Sequence, residues 1–404
     1  MSHFSKTILV ALAAILVCTG AQARKIYVAS DNCIIDATTN EVLAIWENEF
    51  IKVKSMDFDD SGNFYFLRSY QFSDAYSSSY WRYSIIKNFD EANPYKEYNT
   101  YGDKPKWHYI SLAMRIKGND VITAGTASYF YNEYGRVSYM FFQKNGKTLY
   151  KTDNEKKSLE KDSFRAYAWF KRSGIHIVPM DYDYNMEVTN RSYVYYVKDV
   201  DYLNGTIYAT GWGERENNEY FAGYGRVYYV RRCPRVWANA ATVLKQAENE
   251  NGAGSSIHVF NPSGYAKPIV LTSGHKEGKP YAWNGESVSW GGREDGEFVK
   301  EAVISYSNGH FVRAFVTKDG RLNFHSDIVP TGLMGGPKQN KNWIFLDVVE
   351  HEGDIYALIY GRGANPTYSV VKFKGDDLLK GEFSSAFGVT NNIKGIDLKH
   401  LAIH

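Results

Sequence analysis

Five stretches of the chain share one pattern: alternating apolar residues, a turn containing Gly, then a second alternating run rich in Tyr, Ile, Val and Phe. They are SMDFDDSGNFYFLRS from Ser55, SLAMRIKGNDVITAGT from Ser111, DVDYLNGTIYATGWG from Asp199, EAVISYSNGHFVRAFV from Glu301 and LDVVEHEGDIYALIYG from Leu346. Period-two alternation places successive side chains on opposite faces of a strand, and the Gly turn reverses the chain, so each stretch predicts a β-hairpin. The turn glycines Gly62, Gly118, Gly205, Gly309 and Gly353 stand 56, 87, 104 and 44 residues apart. The short intervals approach one unit of about 50 residues. Each long interval has room for a degenerate copy, AWFKRSGIHIVPM around Gly174 and NPSGYAKPIVLTSG around Gly264.

Most hairpins are followed, after a variable loop, by another strand-like run, such as YWRYSIIKN from Tyr80, RVSYMFFQKNG from Arg136, RVYYVRR from Arg226 and YSVVKFKGD from Tyr368. Some units add a fourth, such as KTLYK from Lys147. With 33 tyrosines and almost no helical periodicity, the chain is expected to be strand-rich throughout. Four strands in roughly 50 residues is the size of a propeller blade. The chain resembles extracytoplasmic β-propellers with NHL- or kelch-like blades. DFDDSGNFYF, Asp57 to Phe66, is similar to the D-x-x-G-N-x-Y core of NHL-type blades, in this copy alone. No kelch-type double glycine precedes the second strand of a unit, and a Trp-Asp ending and a sialidase box S-x-D-x-G-x-x-W are absent. The resemblance implies an all-β propeller of seven blades, with six or eight also fitting the irregular spacing, and names no activity. A double β-sandwich is the alternative architecture. RKIYVASDN, from Arg24, reads as a second strand lacking a first, suited to completing the final blade.

The opening MSHFSKTILVALAAILVCTGAQARK has the order of a secretory signal: a start carrying Lys6, an apolar run from Ile8 to Cys18, and Ala21-Gln22-Ala23. Residues 1–23 are therefore expected to be removed and 24–404 to form a single propeller domain, secreted or periplasmic. The apolar run is shorter than the ~20 residues of a membrane-spanning helix, and no other segment is apolar enough to span a bilayer. Formal net charge is only +2, which gives no steering toward nucleic acid or an anionic membrane. Cys33 and Cys233 remain after the signal; an oxidising compartment permits a bridge between them but two cysteines do not require one.

In a blade meander the turn between strands one and two is on one rim and the loop between strands two and three on the other. The first kind is short here and the second long, which points to the second rim as the functional face. Those loops gather Tyr70, Tyr76, Tyr131, Tyr182, Trp212 and Tyr220 beside Asp181, Asp183, Glu214 and Arg215. Flat aromatic faces with neighbouring polar groups suit sugar rings or extended peptides. The expected function is a non-catalytic binding protein for a glycan or peptide. Asp181/Asp183 and Glu214/Glu216 supply the carboxylates for the alternative, a glycoside hydrolase-like enzyme. A scaffold read by another envelope protein is the third reading.

Searches for other chemistry return little, and no cofactor or metal is expected. G-x-S-x-G, H-E-x-x-H and paired C-x-x-C motifs are absent. Asp57, Asp59, Ser61 and Gly62 begin a calcium-loop pattern, but Arg68 stands at its twelfth position, so a strand running into an Asp-rich turn explains them better. His400 and His404 read as a frayed tail. NENGAGSS from Asn249 and PTGLMGGPK from Pro330 read as surface connections, and NAATVLKQAE from Asn239 as a helical insertion.

Overall fold

The computed structural model describes residues 24–73, 79–98, 107–132, 135–151, 175–178, 195–221, 225–239, 241–245, 252–276, 279–283, 297–327, 333–334, 342–363, 366–382 and 386–404. Among these, the one helix is α1 (Gly375–Leu379), and all other regular structure is antiparallel strand.

The first sheet holds β1 (Ile26–Ala29), β2 (Cys33–Asp36) and β3 (Val42–Ile45), and β28 (His400–Ile403) pairs with β1 as its inner strand. The second sheet is eight-stranded: β4 (Ile51–Phe58), β5 (Phe64–Ser73), β6 (Ser79–Lys87) and β7 (Lys96–Tyr98), then β8 (Trp107–Lys117), β9 (Asp120–Asn132), β10 (Gly135–Lys144) and β11 (Lys147–Lys151). A single pair, Trp81 with Tyr109, joins its two meanders. The third sheet holds β12 (Ile175–Val178), β13 (Tyr195–Leu203), β14 (Thr206–Phe221), β15 (Gly225–Ala238) and β16 (Ala241–Lys245). The fourth has β17 (Gly252–Phe260), β18 (Ile269–Lys276) and β19 (Lys279–Trp283). The fifth has β20 (Phe298–Ser305), β21 (Phe311–Thr317), β22 (Leu322–Ser326) and β23 (Leu333–Met334). The sixth has β24 (Trp343–His351), β25 (Asp354–Gly361), β26 (Thr367–Phe373) and β27 (Ala386–Ile393).

This is a β-propeller of six hydrogen-bonded sheets among the described residues. The sequence suggested seven blades, with six or eight allowed; because the second sheet contains two consecutive meanders, meanders outnumber sheets by one. The inner strands β4, β8, β13, β17, β20, β24 and β28 adjoin in that order, and β28 adjoins β4 to close the ring. One sheet cannot bury both of its faces alone, so the cores lie between neighbours. Val53, Phe66 and Ala402 pack between the first sheet and the next meander, while Phe142, Ile207 and Trp237 pack between the second and third sheets. Phe324, Phe345 and Phe373 do the same between the fifth and sixth.

The turn glycines Gly62, Gly118, Gly205, Gly264, Gly309 and Gly353 all have positive φ, from 63° to 93°, a region that costs a residue with a Cβ. Gly264 thus marks a true copy of the repeat. Gly174 falls outside the described residues; the strand that follows it, β12, adds to the outer part of the third sheet against β15.

Several segments read from sequence as loop, helix or tail are strand. NAATVLKQAE contains β16, and the Gly-rich GAGSS forms the start of inner strand β17. His400 lies in β28, whose pairing with β1 holds what reads locally as a frayed tail. The Tyr-rich loops beyond Thr126 and Gly211 are largely antiparallel ribbon, with β9 paired to β10 out to Asn132 and β14 to β15 out to Phe221. Alternating aromatic and polar residues satisfy a strand as well as a loop, and cross-strand pairing decides. Cys33 is a free thiol, so it forms no bridge to Cys233. No helix among the described residues is long and apolar enough to cross a membrane.

Candidate functional site

Six inner strands carry the same irregularity, which none of the sequence patterns announced. Pairing with the second strand of the meander slips by one residue at Lys54, Ile110, Lys198, Ser255, Val299 and Leu346. A bulge adds twist and redirects a side chain, so this row re-aims the inner strands as they enter the axis. In three meanders the second strand meets the bulge with a glycine. A Cβ at Gly125, Gly211 or Gly274 would stand 2.6, 1.8 or 2.0 Å from the carbonyl oxygen of Ser111, Tyr196 or Ala253. The glycines of ITAGT, YATGW and LTSGH are there because the bulged backbone leaves no room for a side chain.

The inner strands surround a channel with a cavity of about 1340 Å³, lined by all seven of them. Four aspartates form a repeated device in its wall. Asp57 accepts from its neighbour Phe58 N–H at 2.9 Å and from Ile116 N–H on β8 at 3.2 Å. Asp199 accepts from Val200 and Ile257 N–H, both at 2.9 Å, and Asp201 from Tyr202 at 2.8 Å and Val259 at 2.7 Å. Asp347 accepts from Val348 at 2.9 Å and Leu401 at 3.0 Å. In each case one oxygen bonds within its own strand and the other reaches the next inner strand. The row staples neighbouring blades where adjacent inner strands are not paired as a sheet.

Arg115 is the hub of an ionic network across the middle of the channel. Its Nη2 donates to Asp199 Oδ2 at 2.7 Å, its Nη1 stands 3.5 Å from Asp201 Oδ2, and Lys117 Nζ stands 3.3 Å from Asp201 Oδ1. Arg115 and Asp199 are 19% and 18% exposed, walled by protein but touching the lumen. His258 bridges Arg115 Nη1 at 3.2 Å and the Glu301 carbonyl at 3.2 Å. Nε2–H must donate to that carbonyl, which leaves Nδ1 to accept from the guanidinium, so the ring is neutral. Burial, then the charges of Arg115 and Lys117, hold its pKa well below the ordinary value. Beyond it Glu301 Oε1 accepts from Arg313 Nε at 2.5 Å, and Arg313 Nη2 donates to the Thr272 carbonyl at 2.9 Å. Burial pushes the Asp57 carboxyl up to about 6, against the pull of its two backbone donors and Arg115. Burial likewise raises Asp199 and Asp347.

Of the residues expected at the site, Trp212 lines the cavity, but as packing as much as surface. It is 6% exposed and stacks on Tyr196, ring centroids 3.7 Å apart and planes at 17°. Tyr70 is half-buried in β5 between Ile51 and Arg82. Tyr131 lies in β9, and Glu214, Arg215 and Tyr220 lie in β14 opposite Arg232, Arg231 and Arg226. Tyr76, Asp181, Tyr182 and Asp183 fall outside the described residues. Sequence reasoning missed Arg115, Asp199, His258 and Glu301. The available signal was a charged or imidazole side chain inside an apolar first strand, as in AMRIK, KDVDY and SIHVF. No group of three His, Cys, Asp or Glu among the described residues is placed to hold a metal ion.

Neither a protein-family model nor a characterised protein sequence matches the chain, so NHL or kelch membership has no family-level support. Solved structures do resemble it. A Trypanosoma rangeli sialidase aligns with TM-score 0.35 and 11% identity over 84% of this chain and 57% of its own; the chain thus spans little more than half that relative's length. AztD from Citrobacter koseri aligns with TM-score 0.32 and 9% identity over 94% and 97% of the two chains. The Bombyx mori GH32 β-fructofuranosidase BmSUC1 aligns with TM-score 0.27 and 11% identity over 80% and 60%. At such identities the likeness concerns fold alone.

Proposed function

We propose that the protein is a secreted or periplasmic binding protein, with residues 24–404 forming one propeller domain behind an export segment of residues 1–23. Its central channel takes up a saccharide or extended peptide without cleaving it. The observation that carries this reading is the stacked Tyr196–Trp212 pair on a roomy polar channel, an aromatic platform beside fixed hydrogen-bonding groups. The channel aspartates favour binding over hydrolysis. A glycosidase needs carboxyl oxygens free to face a scissile bond, whereas Asp57, Asp199, Asp201 and Asp347 each hold two backbone N–H groups. Tyr70, Tyr76, Tyr131, Asp181, Tyr182, Asp183, Glu214, Arg215 and Tyr220 belong to the same proposal as outer-rim contacts.

A glycan-array screen of the wild type and Tyr196→Ala, with product analysis of any sugar bound, tests it. Binding lost in the variant with the sugar recovered intact supports the reading. Cleaved sugar moves the protein to the hydrolase class, and binding unaffected by the variant removes the platform.

A further inference from the structure

Among the described residues β3, the outermost strand of the first sheet, is paired with β2 on one side and with no strand on the other. Trp46 N–H donates to the Asn32 carbonyl across that pair at 2.9 Å, and successive N–H groups of a strand point to alternate sides, so the Ile45 N–H points away from the sheet. The strand, VLAI, is apolar along its length. Leu43 and Ala44 pack on the core beneath, while Val42 and Ile45 are 52% and 67% exposed. Of the seven large apolar side chains exposed among the described residues, Val42, Ile45 and Phe50 fall within nine residues here. A fourth, Ile396, is two residues from Lys394, whose N–H donates to Asn40 Oδ1 at 2.8 Å. The end of the strand is fixed: Trp46 Nε1 donates to Glu91 Oε1 at 2.8 Å, and its ring packs on Phe66 with centroids 5.6 Å apart.

An open, apolar edge invites another strand, and proteins commonly blunt such edges with lysine or proline. The outer strands β7, β11, β16 and β19 follow that rule, with Lys96, Lys147 and Lys151, Lys245, and Lys279 with Pro280. β3 does not. The 16 residues from Asp36 to Ile51 contain four carboxylates and no lysine or arginine. Asp36 is spent on the Thr38 and Thr39 N–H groups of its own turn. Glu41, Glu47 and Glu49 are exposed and enter no ion pair among the described residues, and the nearby Arg68 is held by Glu91. These carboxylates flank the apolar run without interrupting it. A second copy pairing antiparallel on this edge would bring Glu41 of each chain to Glu47 of the other, which like charge disfavours. A strand with basic ends would meet attraction instead.

We propose that β3 is a docking edge for a partner protein, which adds an extended apolar segment flanked by lysine or arginine as a fifth strand of the first sheet. Backbone pairing at Ile45 supplies the register, Val42 and Ile45 the apolar contact, and Glu47 and Glu49 the selection for basic flanks.

The test is fluorescence anisotropy of the purified protein with three labelled peptides, KKVTVTVKK, its acidic counterpart EEVTVTVEE and the pairing-deficient KKVTPTVKK. KKVTVTVKK should bind at least tenfold more tightly than either of the others. Ile45→Pro, which removes only an outward N–H, should weaken it tenfold or more, and Glu47→Lys/Glu49→Lys should reverse the preference toward EEVTVTVEE. Both variants should melt with the wild type; if Ile45→Pro melts lower, the charge reversal decides alone. No binding of KKVTVTVKK, equal binding of the basic and acidic peptides, or binding that survives both variants overturns the proposal. Binding lost in Tyr196→Ala but kept in Ile45→Pro places the peptide in the channel and likewise overturns it. A dimer in sedimentation that Ile45→Pro abolishes makes a second copy the occupant and overturns the basic partner.

Discussion

Asp347 on β24 holds Leu401 N–H on β28 at 3.0 Å with one carboxylate oxygen while the other holds Val348 N–H in its own strand at 2.9 Å. It thereby fastens the strand that closes the ring to its neighbour. Asp347→Ala leaves two buried N–H groups without acceptors and should cost ~2–4 kcal/mol. Asp347→Asn should recover only part of this, because the amide offers one acceptor and turns an N–H₂ toward the other donor. Urea unfolding of both variants checks the ranking; an Asn variant as stable as wild type would refute the two-acceptor role.

The glycines that face bulges and those that form turns should respond differently to alanine. At Gly205 φ is +86° and nothing lies within 4 Å of a built Cβ, so Gly205→Ala should cost only about 1 kcal/mol, the strain of the left-handed region. At Gly211 the Cβ would stand 1.8 Å from the Tyr196 carbonyl, and the bulge of β13 must break. Gly211→Ala should cost more than about 3 kcal/mol or prevent folding. Thermal unfolding of the pair decides, and similar melting temperatures would contradict the close approach.

His400 carries a pH signature that its substitution should isolate. Burial, then Lys300, Lys399 and Lys54, hold its pKa well below 6.5 in the folded protein. In the unfolded chain it protonates near 6.5. Below that pH the unfolded state binds the extra proton, so this contribution to stability falls on acidification by ~1.4 kcal/mol per pH unit until the folded pKa is reached. Asp57 acts in the opposite sense: its folded pKa is about 6 against 3.8 unfolded, so its contribution falls as pH rises from 4 to 6. His400→Gln should therefore lose less stability than wild type between pH 6.5 and 5, and urea midpoints at several pH values measure the difference. Identical slopes would show that His400 titrates alike in both states.

Trp212→Ala should destabilise the protein by about 3 kcal/mol or more, since the ring is buried and stacked on Tyr196. A Trp in an exposed loop would give almost no change. Tyr196→Phe, which keeps the stack, should leave the melting temperature near wild type. Calorimetric unfolding of the two variants separates platform from core, and a stable Trp212→Ala would restore the exposed-loop reading.

The hairpins were legible because their determinants are local. Alternation in SMDFDDSGNFYF or DVDYLNGTIYA and a glycine at positive φ lie within about a dozen residues of one another, and so do the hydrogen bonds they specify. The Asp-rich turn was likewise readable: Asp59 accepts from Ser61 and Asn63 N–H inside its own turn. From these the sequence by itself determined strand type, turn positions and the propeller class. Tertiary structure alone decided which residues face the axis. Asp57 finds Ile116 and Asp347 finds Leu401, partners 59 and 54 residues away that no local period encodes. The same holds for β28, a tail by its local sequence and an inner strand only because β1 pairs with it where the ring closes by packing between blades.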